Sequence, residues 1–225
     1  MERWQEKAAV FDQRAAEYDQ WYEGSLLFDI ELQALKGVQS VLRGPALEIG
    51  VGSGRFAEAL GLMHGLDPAH SALRLARSRG MSVCQGIGEQ LPYRNGVFGT
   101  VYLLFALCFV EAPDRVLAEC VRVLTPGGGL LVGMVPAASP WGHFLAAKKA
   151  AGHPFYRHAR FYGVAEAERL LREAGLTVIE QRSTLYQPPG KVEALEGARV
   201  GVSAEAGFVI LVSRKAEQRP SYSSQ

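Results

Sequence analysis

Apolar positions change period along this chain. Trp4, Ala8, Phe11, Ala15, Tyr18 and Tyr22 fall at helical spacing and predict an amphipathic helix over 3–23, broken near Asp12. Leu26, Leu27, Ile30, Leu32, Leu35, Val38 and Leu42 predict a second helix over 25–42, stopped by Gly44-Pro45. Short apolar runs of strand length then take over, at 46–50, up to Leu66-Asp67, and at 81–85, 98–105, 130–135, 176–184 and 205–214. Helical patterns separate many of them, at 53–62, 69–79, 114–124 and 164–174. The run 98–105 is apolar on both faces, as a central parallel strand is. Alternating strands and helices predict an α/β fold with seven strands.

One connection is out of proportion. Between the strand at 130–135 and the helix at 164–174 lie almost thirty residues, where about 2–6 is ordinary. The segment 136–162 holds Trp141, His143, Phe144, His153, Phe155, Tyr156, His158 and Arg160 among others, including three of the chain's five histidines. It is either the substrate-recognition element or a basic aromatic surface segment. No repeat or second domain is visible, so 1–225 reads as one domain, with helices in 1–43, this insertion, and a frayed tail over 216–225.

The chemistry concentrates in Ala46-Leu47-Glu48-Ile49-Gly50-Val51-Gly52-Ser53-Gly54-Arg55. A strand–glycine turn–helix unit brings backbone N–H groups and the positive end of a helix dipole close to a ligand. A dinucleotide fingerprint would put its third glycine at position 55, which is arginine, and no P-loop motif is present. Asp67, 17 residues beyond Gly50, is placed to accept ribose hydroxyls or to cap the helix that follows Pro68.

Glu48-x-Gly50-x-Gly52-x-Gly54 resembles motif I of the class I S-adenosylmethionine-dependent methyltransferases, in particular the small-molecule enzymes grouped as type 11. Three further stretches are similar to that family: Phe11-Asp12-x-x-Ala15-x-x-Tyr18-Asp19, Gly86-Ile87-Gly88-Glu89-Gln90-Leu91-Pro92-Tyr93, and Val121-Arg122-Val123-Leu124-Thr125-Pro126-Gly127-Gly128. The resemblance implies a doubly wound, mostly parallel, Rossmann-like seven-stranded sheet with an antiparallel strand 7 and N-terminal lid helices. It implies S-adenosyl-L-methionine as cofactor and S-adenosyl-L-homocysteine as product. Tyr18, Glu48, Gly50, Gly52, Gly54, Asp67, Gly88, Glu89 and Phe105 become the expected cofactor-binding residues. Two positions depart from the pattern. Ile87 stands where an aspartate usually meets the adenine amino group, and Gly99 replaces an aspartate after Phe98.

Methyl transfer needs alignment and dryness more than a protein nucleophile. The sequence shows no metal-ligand spacing, and Cys108 reads as a core thiol. An acceptor that must lose a proton would find candidate bases in His143, His158 and Glu111. A net charge of +1 disfavours nucleic acid and leaves a small-molecule substrate as the expected partner. Fourteen residues is the longest uncharged apolar run, short of the ~18 of a membrane span, and no signal-peptide pattern opens the chain. With three cysteines and no C-x-x-C, a cytoplasmic setting is expected. A noncatalytic cofactor-binding module of the same fold is the alternative.

Overall fold

Strand β4 (Phe98–Leu104) runs through the middle of an eight-stranded sheet in a computed structural model that describes residues 3–217. On one side it pairs with β1 (Ala46–Ile49), followed outward by β2 (His64–Asp67) and β3 (Ser82–Gln85). On the other side come β5 (Leu124–Met134), β8 (Phe208–Lys215), β6 (Leu176–Thr184) and the edge pair-maker β7 (Arg199–Val200). β1 to β5 are mutually parallel, while β8 is antiparallel to both its neighbours. Strand order therefore reverses between β1 and β4. A crevice at the carboxyl ends of these two strands is where open α/β sheets bind ligands.

Alternation of side chains sorts the core into two layers. Val101 and Leu103 face α6 (Pro113–Val123) and α8 (Val164–Glu173), whereas Tyr102 and Leu104 face α3 (Leu26–Lys36), α4 (Arg55–Leu60) and α5 (His70–Ser78). All are buried.

Three expectations are adjusted and a fourth lies largely outside the described residues. The sheet has eight strands, because β7 is two exposed residues and too short to show a period. The first helix breaks at Arg14, giving α1 (Arg3–Gln13) and α2 (Ala15–Gln20). The long segment contains α7 (Pro140–Ala150), begun by a cap: the Ser139 hydroxyl accepts the Gly142 N–H at 3.0 Å, with Pro140 in the first turn. Of the frayed tail expected over 216–225, residues 218–225 lie outside the described residues.

Gly99 has a physical reason. A Cβ there would sit 2.2 Å from the Arg43 carbonyl oxygen, because the segment leading into β1 crosses the start of β4 at this point. Thr100 fixes the crossing: its hydroxyl donates to Arg43 O at 2.8 Å and accepts the Arg43 N–H at 3.1 Å.

Candidate active site

Three glycines shape the turn after β1, all at positive φ: Gly50 at 74°, Gly52 at 53° and Gly54 at 83°. They do different work. A Cβ on Gly50 would lie 2.6 Å from Ala106 Cβ, so this glycine lets the loops after β1 and β4 abut. A Cβ on Gly54 would meet Met81 Sδ at 2.7 Å and Ala76 Cβ at 3.1 Å, so Gly54 seats the start of α4 on α5. Gly52 alone faces open space, with the Tyr18 ring its nearest neighbour at 4.0 Å. Of the three, Gly54 does not line the cavity beside the turn.

Asp67 closes the floor of that cavity. Its Oδ2 accepts the Gly52 N–H at 2.9 Å and its Oδ1 accepts the Ala69 N–H at 2.8 Å. Burial pushes the carboxyl up to about 6 despite those two donors. The capping expectation is corrected here. α5 starts at His70 with Ala69 in the cap position, and Asp67 folds the chain into a side-chain turn one step earlier.

The cavity beside the turn is open to solvent on one side. Gly50, Gly52 and Asp67 stand at one part of its wall, and Ile87, Gly88 and Glu89 at another. Trp4, Lys7, Phe11 and Tyr18 of α1 and α2 also line it. The Glu89 carboxylate is committed to backbone, accepting the N–H groups of Glu111 at 2.8 Å and Ala112 at 3.3 Å. Glu48 lies on the strand face that looks toward Tyr18, Tyr22 and Phe105. It is buried, its Oε2 has no partner among the described residues, and burial, with Asp67 nearby, raises it well above the usual carboxyl range.

A second cavity opens on the other side of Tyr18 and Phe105. Phe11, Tyr18, Phe105 and Phe109 belong to both walls. Phe105 sits at the end of β4 with φ of 55°, a conformation that costs a non-glycine residue ~1–3 kcal/mol and tends to occur at functional sites. Its ring is held by Phe208, stacked at 5.0 Å, and by Phe56 at 5.6 Å. Trp21, Tyr22, Trp141, Phe155, Tyr156, Phe161 and Tyr162 extend the wall, which is mostly aromatic. Tyr22 donates to the Tyr18 hydroxyl at 2.8 Å, and burial raises both phenols.

The three expected bases are not brought together here. His143 is exposed on α7, and His158 is half-buried with its Nε2 unpartnered among the described residues; neither lines the aromatic cavity. Glu111 lines the first cavity, paired with Lys7 at 2.7 Å. The two histidine side chains line neither cavity, whereas Glu111 stays at the ligand edge. Cys108 does line the aromatic cavity, with its thiol donating to Phe105 O at 3.1 Å and pushed by burial up to about 12. Burial thus favours the protonated thiol.

The titratable group sequence reasoning missed is Glu31, 5% exposed on α3 and part of the aromatic wall. Its signal was a carboxylate within an apolar stripe, four residues after Leu27 and four before Leu35.

Sheet order, glycine turn and paired cavities together define the class I methyltransferase architecture. The sequence profile of the family described as "Methyltransferase domain" matches residues 47–132. A solved Thermotoga maritima S-adenosylmethionine-dependent methyltransferase, a possible histamine N-methyltransferase, is 33% identical, superposes with a TM-score of 0.87, and is covered over 99% of its length and 93% of this chain. The ubiquinone biosynthesis O-methyltransferase of Thiobacillus denitrificans is 30% identical over 67% of this chain and 72% of its own. An uncharacterized Mycobacterium tuberculosis protein is 45% identical over 88% of this chain and 70% of its own. This chain belongs to the class I S-adenosylmethionine-dependent methyltransferase family. Among the described residues, no helix is long and apolar enough to cross a membrane.

Proposed function

We propose that this protein binds S-adenosylmethionine in the cavity beside the glycine turn and transfers its methyl group to a small molecule held in the aromatic cavity. The observation that carries this reading is the shared wall. Two cavities meet at Tyr18 and Phe105, at the carboxyl ends of β1 and β4. The residues fit the cofactor. Gly52 leaves the room that a Cβ would fill, and Asp67 stands where ribose hydroxyls could donate. The unpartnered Glu48 oxygen suits a cofactor ammonium group. Ile87 and the Gly88 backbone offer an apolar face and amide groups for adenine.

When bound, the cofactor supplies an electrophilic methyl group with a neutral leaving group. The chain's own residues then align and dry the site. α1 and α2 cover the first cavity, with Lys7 donating to the Phe109 carbonyl at 3.0 Å. The T. maritima relative, whose suggested acceptor is a small molecule, supports a small acceptor here too.

Titration calorimetry with S-adenosylmethionine and S-adenosylhomocysteine tests the reading. Saturable binding of both, lost in Gly52→Val without loss of the folded state, is expected. No binding of either ligand overturns it. Binding without turnover of labelled cofactor against a broad metabolite extract favours the noncatalytic module.

A further inference from the structure

Among the described residues, Glu31 is the one carboxyl that lines the aromatic cavity. Among the described residues it has no hydrogen-bond or ion-pair partner, and no lysine, arginine or histidine lines the cavity. Leaving a carboxyl unpaired in an apolar surround is costly, so such a group persists where a ligand satisfies it. Tyr18, Tyr22 and Tyr156 lie near enough to feel its charge, and Trp21 and Phe155 line the same cavity. Trp21 meets Phe155 edge-on at 4.9 Å and stacks with Tyr156 at 6.4 Å. Aromatic faces carry negative partial charge and attract cations, most strongly when water is excluded. Carboxyl and ring faces thus favour the same sign of ligand.

We infer that the acceptor is an amine with an apolar or aromatic body, whose nitrogen is anchored by Glu31 inside the ring of aromatic side chains. The inference rests on the methyl-transfer reading above and names its substrate class. It also supplies the base that the histidines do not. When Glu31 is ionised, an ammonium group in the cavity can pass one proton to its carboxylate, giving a neutral amine and a carboxylic acid. No other reactant is needed, and the nitrogen gains the free electron pair a nucleophile requires. Burial raises Glu31 well above the ordinary carboxyl range, which makes it a better proton acceptor than an exposed carboxylate.

The test uses the full chain saturated with S-adenosylhomocysteine and three matched probes: 2-phenylethylamine, 2-phenylethanol and 3-phenylpropionate. The amine should bind at least about tenfold more tightly than the alcohol, roughly 1.4 kcal/mol, and the carboxylate should not bind. In Glu31→Gln and in Glu31→Met the preference for the amine should vanish while S-adenosylhomocysteine affinity stays unchanged, which also reports an intact fold. Equal binding of amine and alcohol overturns the inference. So does a preference that survives in either variant, or no amine binding at millimolar concentration. Failure of S-adenosylhomocysteine to bind the unmodified chain would instead bring down the underlying methyl-transfer reading, and this inference with it.

Discussion

Arg55 grips Asp19 at two points: Nε donates to Oδ1 at 2.9 Å and Nη2 to Oδ2 at 2.7 Å. The residue that rules out a dinucleotide fingerprint is therefore the one that latches α2 onto the glycine turn. Arg79 adds a contact to Asp19 Oδ2 at 3.0 Å. Burial alone would raise Asp19, yet hydrogen bonds from Arg55, Ser53 and Arg79 hold it down to about 2.

Unlatching should be measurable. Asp19→Ala leaves two half-buried guanidinium groups without their shared partner and should cost ~1–3 kcal/mol of stability, less than a fully buried pair. Urea unfolding gives that figure. Amide exchange should show 15–20 opening faster, and S-adenosylhomocysteine affinity should fall. Arg55→Lys should do part of the same damage, since lysine cannot reproduce the two-point fork.

Asp67 gives the site a pH dependence with a definite sign. Its folded-state value is raised from 3.8 to about 6, so its contribution to stability is fully present below 3.8 and is lost as pH rises through about 6. The loss amounts to ~3 kcal/mol. Ribose hydroxyls donating to the ionised carboxylate would lower that value in the complex. Cofactor affinity should then rise by up to roughly tenfold per pH unit below 6 and level off above it. Calorimetry between pH 5 and about 8 checks both the direction and the plateau. An affinity flat across that range would remove Asp67 from the ribose contact.

The three glycines should respond differently to alanine. Gly52→Ala meets only αL strain, ~1–2 kcal/mol, so the fold should survive while S-adenosylhomocysteine binding weakens. Gly50→Ala drives a methyl into Ala106, and Gly54→Ala drives one into Met81 and Ala76; both should lower the melting temperature more than Gly52→Ala does. Comparing melting temperature with affinity for each variant separates the two kinds of role.

His143→Ala and His158→Ala should leave both S-adenosylhomocysteine affinity and the amine preference unchanged, because neither side chain lines either cavity. A drop in amine affinity in either variant would return the search for a base to α7 and the segment after it.

What was legible in the sequence was whatever a period or a spacing encodes. Strand β6 was expected over 176–184 and lies there, and the glycine turn joins β1 to α4 as its spacing implied. Direction was less legible. Crowding of histidines in one segment marked the correct edge of the sheet, but only the orientation of α7 shows His143 in solvent. Gly99 looked like a lost carboxylate because its reason, the Arg43 carbonyl, comes from a segment 56 residues earlier. Glu31 was hidden for the opposite cause: one acidic residue in a helical stripe reads as a solvated edge until the wall opposite it is known.

Tyr18 stands between the two chambers, its hydroxyl bonded to Tyr22 and its ring edge-on to Phe11 at 5.3 Å. A ligand in either chamber meets the same ring, so any change one ligand makes in it is felt by the other. Linkage requires that each ligand change the affinity of the other by the same factor, whichever comes first. Any coupling between the two pockets through this shared tyrosine therefore runs equally in both directions.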